Sequence, residues 1–310
     1  MTSAANDKLL KILLESAQKV SMGAYDETDK LMELTRQDRY PRQITDFAEA
    51  FGMMIVRIEA REFNLEQLLK KIKEKNKKLE KTLHRVQLLE GIQNHMSKFI
   101  PKSVKDLISE NPENPDLTKH DKDISVLFLD IAGYTKMSEN ISQDKMNYLI
   151  ETYFSQFLDI IVKNNGDINE TAGDGLMILF QGSDPKENAI NAVTAAIDIQ
   201  KKTITINESL KNQYDPVMVN MGINSGMASV GSTRFHGIAE DRWTFTASGS
   251  VTNIAARVCS IATGGKIFVT SIISDYIKGR FTLSLPKTKQ LKNVSKPVQV
   301  YEVLISDSKP

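Results

Sequence analysis

DISVLFLDIAGYT, from Asp123 to Thr135, is the segment from which the rest of the chain is best interpreted. Its apolar run is long enough for a buried strand and too short for a helix of its own; it comprises Ile124, Val126, Leu127, Phe128 and Leu129. The strand is predicted to end on Asp130, with a turn at Gly133. A carboxylate in this position is either a cap or turn residue or part of a site at the rim of a sheet. The segments that follow favour a site.

A second carboxylate comes from the next pair of predicted strands. A helical pattern follows the first strand and stops at Gly166, which predicts a crossover. Then Asp167–Gly182, DINETAGDGLMILFQG, contains two short strand-like runs, and Asp174 lies between them at the tip of a predicted hairpin. If this hairpin lies beside the first strand, Asp130 and Asp174 face each other.

The type of this pair predicts the metal. Two carboxylates at neighbouring strand ends, with no His or Cys cluster nearby, suit Mg²⁺ or Mn²⁺ rather than zinc. Two such ions about 3.5–4 Å apart suit phosphoryl or nucleotidyl transfer, because they activate the attacking oxygen and neutralise the departing phosphate. The sequence therefore predicts two Mg²⁺ or Mn²⁺ ions as cofactors.

The densest local signal is Phe245–Ser260, FTASGSVTNIAARVCS, which follows a second helix, a strand and a polar loop containing TRFHGIAEDRW. Asn253 and Arg257 are four residues apart and share one face of the helix predicted there. On that face, the amide of Asn253 could bind a ribose, and the permanently charged, planar guanidinium of Arg257 could bind a phosphate as charge develops on it. By itself, the spacing Asn-x-x-x-Arg is not specific. Lys292 lies in the string LKN, between the last two strand patterns.

From Asp121 to Leu304 the chain resembles the catalytic domain of class III adenylate and guanylate cyclases. The matching strings occur in the family's order and at its spacing: FLDIAGYT, ETAGDGLMILF, VNMGINSG, TASGSVTNIAARV and LKNVSKPVQVYEV. MSKFIPKSVKDLI resembles the segment that often precedes such domains. The resemblance implies an α+β fold with a ferredoxin-like βαββαβ core. It also implies an obligate homodimer in which each active site takes residues from both subunits.

The resemblance also implies a reaction and a set of site residues. The ribose 3′ hydroxyl of ATP or GTP would attack the α-phosphate and release pyrophosphate, giving cAMP or cGMP. The implied roles are metal ligation by Asp130, Asp174 and the backbone carbonyl of Ile131, ribose orientation by Asn253, transition-state stabilisation by Arg257 and triphosphate binding by Lys292.

Two further positions, which select the base in this family, give a mixed signal. Glu170, four residues before Asp174, stands where adenylate cyclases carry Lys and guanylate cyclases carry Glu. A carboxylate accepts from the N1–H and amino group of guanine, whereas adenine has no N1–H. Thr246 stands where many bacterial adenylate cyclases carry Thr and guanylate cyclases carry Cys. The choice between ATP and GTP stays open. Further departures from the family pattern are Asn224, Ser225, Ser250 and Asn293.

The runner-up function is a catalytically silent cyclase-like module that binds nucleotide or transmits a signal between subunits. The complete set of expected site residues argues against it. A diguanylate cyclase on a similar core is disfavoured, because the string GG(D/E)EF is absent.

The N-terminal third is predicted to be helical. Residues 1–60 contain two apolar stripes at helical spacing, joined by a polar connector from Gly23 to about Arg42. The stripes are Leu10, Leu13, Ala17 and Val20, then Ile44, Ala48, Phe51, Ile55 and Ile58. Two short amphipathic helices need a partner to bury such stripes, most simply a second copy. The arrangement resembles a HAMP domain, a parallel four-helix relay of signalling receptors, and an unrelated helical hairpin is the alternative.

Residues 61–96 predict a parallel coiled coil. Apolar residues at heptad-compatible spacing are Leu65, Leu68, Ile72, Leu79, Val86 and Leu89. Leu69 or Leu83 could serve in a shifted phase, so the register is open. The stalk is either a switchable element or a passive dimerising element. Residues 97–122 hold three prolines and predict a linker, so the cyclase-like domain is placed at 123–310.

Composition limits the partners and the compartment. The net charge of +1 gives no global field for nucleic acid or an anionic membrane. The single cysteine, Cys259, excludes an intramolecular disulfide and fits a reducing compartment. Since no run of about 18 apolar residues occurs, we expect a soluble, cytoplasmic chain. Membrane association would need an upstream sensor segment that this sequence does not contain.

Overall fold

The computed structural model describes residues 3–25, 29–36, 39–237 and 240–305. The chain divides into two compact units, Met1–Gln93 and Asn94–Pro310. The helices are α1 (Ser3–Ser21), α2 (Asp29–Glu33), α3 (Arg42–Met96), α4 (Lys102–Glu110), α5 (Tyr134–Asn140), α6 (Gln143–Lys163), α7 (Pro185–Leu210), α8 (Ser250–Ile261) and α9 (Ser271–Tyr276). The strands are β1 (His120–Ile131), β2 (Asp167–Ala172), β3 (Gly175–Phe180), β4 (Val219–Phe235), β5 (Arg242–Ser248), β6 (Ile267–Thr270), β7 (Thr282–Leu283), β8 (Lys287–Lys289) and β9 (Val298–Leu304).

The first unit is helical, as its periodicity predicts, but its core differs from the predicted one. Leu31 and Leu34, in and just after the short helix α2, are each 1% exposed and pack with Ala48 and Ile55 of α3. The segment predicted as a polar connector therefore contributes buried side chains. Leu10, predicted for the first stripe, is instead 65% exposed.

One continuous helix, α3, runs for 55 residues across the predicted boundary between residues 60 and 61. Beyond Arg61 its apolar side chains are exposed in the single chain, including those at the predicted heptad positions. Such a stripe gains apolar burial only from a partner. The HAMP-like four-helix module and the coiled coil both require a second chain and stay predictions. No helix in the described ranges is long and apolar enough to cross a bilayer.

The second unit is built on a mixed sheet in the order β2-β3-β1-β4-β6-β9-β7, with β5 paired to β4 and β8 to β9. Its first four strands, in the spatial order β2-β3-β1-β4 with α6 and α7 as crossovers, have the topology of a ferredoxin-like βαββαβ core. They pair antiparallel throughout. The α+β class and the predicted core topology are therefore confirmed.

Three local differences separate this unit from the expectation. β1 begins at His120 instead of Asp123, and α4 lies inside the segment predicted as a linker. The predicted polar loop TRFHGIAEDRW is largely a hairpin, because β4 extends to Phe235 and pairs with β5 from Arg242 onward. Apolar and polar residues alternate only weakly in that stretch, so the sequence pattern does not predict a strand there. The strands are stabilised instead by their pairing with each other.

Helix α8 packs against the sheet through an unusually close approach. A Cβ placed on Gly222 of β4 would lie 2.1 Å from the backbone nitrogen of Cys259 and 2.7 Å from the carbonyl oxygen of Ala255. Only glycine lets the two backbones come this near. Gly222 therefore sets the distance between the sheet and the helix that carries Asn253 and Arg257.

Candidate active site

The two predicted metal ligands meet as the sequence predicts. β1 pairs with β3 so that Asp130 lies opposite Gly175, the first residue after the hairpin turn. Gly173 adopts φ 60°, the left-handed conformation that a type II′ turn requires at its first central position. The backbone N–H of Ile131 donates to the carbonyl oxygen of Asp174 over 3.1 Å. The turn and this bond bring the Asp174 side chain to the end of β1.

The environment of the pair disfavours two bare negative charges. Partial burial, followed by a hydrogen bond and the charge of Asp174, raises the pKa of Asp130 to about 7. The charge of Asp174 thus opposes ionisation of Asp130 in the absence of a counter-charge. A divalent cation between them would supply that counter-charge, so the pair fits Mg²⁺ or Mn²⁺.

The remaining ligand set fits the same metals. Among the described residues, no group of three or more His, Cys, Asp or Glu side chains is arranged to hold a metal. Mg²⁺ is commonly bound through one or two carboxylates plus substrate phosphates and water, without a complete protein cage. The residues that would hold the ions are Asp130, Asp174 and, through its backbone carbonyl, Ile131.

A cleft of about 230 Å³ opens beside Asp130 within one chain. Asp130 and Glu170 supply its acidic groups, Met177 lies on its apolar side, and Cys259 and Ser260 line it from α8. Cys259 is 5% exposed, and burial raises the pKa of its thiol to about 12, so the neutral thiol packs as a small apolar group.

The two predicted base-selecting residues are in direct contact. The hydroxyl of Thr246, on β5, donates a hydrogen bond of 2.6 Å to Oε1 of Glu170, on β2. An ionised carboxylate only accepts, so the hydroxyl hydrogen is committed to Glu170. The pair therefore offers acceptors, and no side-chain donor, to a base that approaches it.

Neither Asn253 nor Arg257 is among the residues that line the cleft. Both belong to α8, where Asn253 is exposed and Arg257 is half-buried. The residues of α8 that line the cleft are Ala256, Cys259 and Ser260. In the described chain no ion pair joins Arg257 to either Asp130 or Asp174. Within one chain, Arg257 is therefore not paired with either carboxylate.

Lys292 is held near α8 by its neighbour. Leu291 is 2% exposed and belongs to one apolar cluster with Val258 and Ala262, at the C-terminal half of α8. Lys292 itself is exposed. Asn293, at a position where the family usually has Gly, adopts φ 61°, a left-handed conformation that Asn tolerates better than most residues. This departure from the family pattern therefore preserves the turn.

The departure at Asn224 also has a structural explanation. Its amide donates to the carbonyl oxygen of Val251 over 3.1 Å and accepts from the hydroxyl of Thr270 over 2.8 Å. Ser225, the next departure, shares a buried hydrogen bond with Ser125 of β1. Asn224 thus fixes the start of α8 on β4, where it determines the placement of Asn253.

Three residues near the site escaped sequence reasoning: Asp167, Asn169 and Gly222. The Asp167 carboxylate accepts from the backbone N–H groups of Lys102 and Ser103, and the Asn169 amide donates to the carbonyl oxygen of Phe245. A polar residue before Glu170 and a glycine inside a strand pattern are visible in the sequence. Their partners, 33 or more positions away, are not visible there.

Comparison with known proteins identifies a family for the catalytic unit. The family model of the adenylate and guanylate cyclase catalytic domain matches residues 117–304. A terminal-differentiation-specific adenylate cyclase of Dictyostelium discoideum is 31% identical over 231 residues, 72% of this chain and 10% of that protein. Adenylate cyclase 1 of Rhizobium meliloti is 23% identical over 59% of this chain. The chain spans only 10% and 28% of the lengths of these two relatives.

Solved structures give the same family. The adenylyl cyclase CyaB of P. aeruginosa aligns with a TM-score of 0.57 and 28% identity, covering 62% of this chain and 98% of that one. The guanylyl cyclase Cya2 aligns with a TM-score of 0.55 and 26% identity, covering 60% and 93%. With the family match over more than half of its length, this chain belongs to the family of adenylate and guanylate cyclase catalytic domains.

Proposed function

We propose that this chain is a homodimeric nucleotide cyclase that converts a nucleoside triphosphate to its 3′,5′-cyclic monophosphate and pyrophosphate. The observation that carries the proposal is the Asp130–Asp174 pair, half-buried beside a cleft in a cyclase fold. In the reaction, the ribose 3′ oxygen bonds to the α-phosphorus, the bond from that phosphorus to the β-phosphate oxygen breaks, and the 3′ hydroxyl proton is lost. When bound, two Mg²⁺ or Mn²⁺ ions would lower the pKa of the hydroxyl and neutralise phosphate charge.

The side chains of the protein bind and orient the substrate. Glu170 and Thr246 meet the base, Asn253 orients the ribose, and Arg257 and Lys292 stabilise the charge of the phosphates. Within one chain, neither Asn253 nor Arg257 lines the cleft beside Asp130. A second copy that brings its α8 to the metal pair of the first would complete each site. The absence of these residues from the lining of the cleft in one chain supports the homodimer.

The contact between Glu170 and Thr246 favours GTP as the substrate. Guanine presents an N1–H and an amino group to acceptors, whereas the N1 of adenine is itself an acceptor. A pair that offers acceptors alone satisfies guanine and leaves adenine N1 facing a carboxylate. The named relatives include both adenylate and guanylate cyclases, so they do not choose between the bases.

A two-substrate assay tests both the activity and the base. The purified chain, incubated with Mn²⁺ and either ATP or GTP, should form a cyclic product, and kcat/KM should be at least about tenfold higher for GTP, since a misplaced acceptor costs about 1–3 kcal/mol. Glu170→Lys should lower the GTP:ATP ratio, and Glu208→Lys, on the exposed side of α7, should leave it unchanged. No product from either nucleotide would favour the silent module. A wild-type preference for ATP would refute the assignment of the base.

We also propose that the first unit and α3 regulate the cyclase. The support is the 55-residue continuous helix with an exposed apolar stripe that leads toward the catalytic unit along the chain. A pair of α3 helices with two nearly equal packings could switch between them and so move the two catalytic units relative to each other. The rate at a site shared by two subunits is sensitive to such a movement. Dimerisation through this stripe stays a prediction of the sequence.

Deletions within residues 61–93 test the relay. Removing seven residues keeps the heptad phase, whereas removing four rotates the downstream helix relative to the stripe. We expect both variants to be dimers by light scattering, with a rate change of about tenfold or more for the four-residue deletion alone. Equal rates for the two deletions and the wild type would make the stalk a passive dimerising element.

A further inference from the structure

The N-terminus of α4 is capped from a distant strand. Pro101, at the N-cap position, makes no side-chain cap hydrogen bond. Instead, the two oxygens of the Asp167 carboxylate accept from the backbone N–H groups of Lys102 and Ser103, each over 2.9 Å. A carboxylate at a helix N-terminus is stabilised by these orphan N–H groups and by the helix dipole. Asp167 therefore ties α4 to β2 across more than 60 residues of sequence.

The strand that carries Asp167 is weakly fixed by its own ladder. β2 lies at the end of the sheet order and pairs with β3. Its register shifts between Ile168 and Glu170, which interrupts the ladder beside Asn169. An edge strand with a bulge depends on side-chain contacts for its position. This applies to Glu170, the residue after the interruption.

The same short segment also contacts β5. The amide of Asn169 donates to the carbonyl oxygen of Phe245 over 3.2 Å, and the hydroxyl of Thr246 donates to Glu170 over 2.6 Å. From Asp167 to Glu170, the strand is thus bonded to α4 at one end and to β5 at the other. A shift of the segment at Asp167 would change the distance between Glu170 and Thr246.

Packing offers little replacement for the cap. Val104 is the only residue of α4 that is buried. A cleft of about 410 Å³ lies between the residues before α4, the outer side of α6 and β2, and it is lined by Phe99, Leu158 and Asn169 among others. The two bonds to Asp167 are therefore the principal polar attachment of α4 to this edge of the sheet.

We propose that Asp167 is a positioning residue for base recognition: by capping α4 it holds the bulged segment of β2 so that Glu170 stays paired with Thr246. The inference rests on the proposed function, in which this pair meets the base. It adds a residue that touches neither nucleotide nor metal. It also means that a displacement of α4 would shift Glu170 relative to Thr246, because Asp167 lies only three residues before Glu170 on β2.

Asp167→Asn tests the role, and Asp184→Asn is a matched control. Asp184 is also a helix cap, accepting from Lys186 N over 2.9 Å, but it acts locally at the start of α7. We expect Asp167→Asn to speed amide hydrogen exchange in α4 and also in residues 168–172 and 242–248. The NH₂ group of Asn would face a backbone N–H, so that one of the two charge-assisted hydrogen bonds is lost. Asp184→Asn should speed exchange at the start of α7 alone.

Kinetics give a second readout that a merely stabilising cap would not move. Asp167→Asn should raise KM for the preferred nucleotide and lower the GTP:ATP ratio of kcat/KM by about tenfold, the cost of a weakened charged hydrogen bond, and Asp184→Asn should leave the ratio unchanged.

The two readouts separate this inference from the proposed function. If exchange in Asp167→Asn rises in α4 but not in residues 168–172 and 242–248, the positioning role is refuted whether or not the chain makes a cyclic product. An unchanged nucleotide ratio in an active Asp167→Asn enzyme refutes it as well. A wild type without activity overturns the proposed function, whereas the exchange pattern still decides whether Asp167 controls the segment.

Discussion

Asp130→Asn is expected to lower cyclase activity at least about 100-fold, because an amide replaces a charge that holds the metal ions needed for transition-state stabilisation. The side chains of Asn and Asp have nearly the same shape, and the apolar residues of β1 carry its packing. The variant should therefore fold and dimerise. The measurements are cyclic-product formation with Mn²⁺ and circular dichroism. Full activity in the variant would remove Asp130 from the site.

The same substitution should stabilise the metal-free protein at high pH. The pKa of Asp130, raised to about 7 by burial and by Asp174, exceeds its ordinary value of 3.8, so the folded state holds more protons between these values. Stability of the wild type therefore falls as the pH rises from about 4 to about 7. In a chelating buffer, Asp130→Asn should gain in melting temperature over the wild type at pH 8 and show no gain at pH 4. Asp159→Asn, exposed on α6, should show no pH-dependent gain.

Mixing two inactive variants tests whether the site is shared between subunits. Asp130→Asn and Arg257→Ala chains, unfolded together and refolded, should form heterodimers with one intact site each, restoring about a quarter of wild-type activity for random pairing. Each variant refolded alone should stay inactive. Absence of restoration, with heterodimers confirmed by tagged pull-down, would place Asp130 and Arg257 in the same subunit's site.

Gly222→Ala is expected to have the second large effect. The added Cβ would lie 2.1 Å from the nitrogen of Cys259 and 2.6 Å from its Cα, and backbone atoms cannot rotate away as a side chain can. Helix α8 must move off β4, which should lower the free energy of unfolding by about 3 kcal/mol or more. It should also lower activity about 100-fold or more in the folded fraction, because Asn253 and Arg257 move with the helix.

Denaturant unfolding and the Mn²⁺ assay measure the two effects of Gly222→Ala. Gly91→Ala is the matched control, since a Cβ there meets nothing within 4 Å and alanine is the better helix former by about 1 kcal/mol. The control should be as stable as the wild type or slightly more so. If Gly222→Ala unfolds like the wild type, the close approach of β4 and α8 does not constrain the site.

Much of the catalytic unit follows from patterns that are local in sequence. The apolar run of β1, the glycine-bounded hairpin around Asp174 and the helical spacing of Asn253 and Arg257 each span fewer than about 20 residues. Each encodes its element without help from the rest of the chain. The meeting of Asp130 with Asp174 was predictable because hairpin and strand are successive elements of one crossover unit. Where the pattern was weak, as at TRFHGIAEDRW and the connector before Arg42, the prediction was wrong.

Periodicity and chemistry along the chain are enough to predict the α+β cyclase fold, the two carboxylates and the residue types available to a nucleotide. Tertiary structure alone decided that Thr246 donates to Glu170, that Asp167 caps α4, and that Gly222 sets the height of α8. Each of these contacts joins residues 33 to 76 positions apart. Their partners are chosen by strand register, the bulge in β2 and helix packing, which no local pattern encodes.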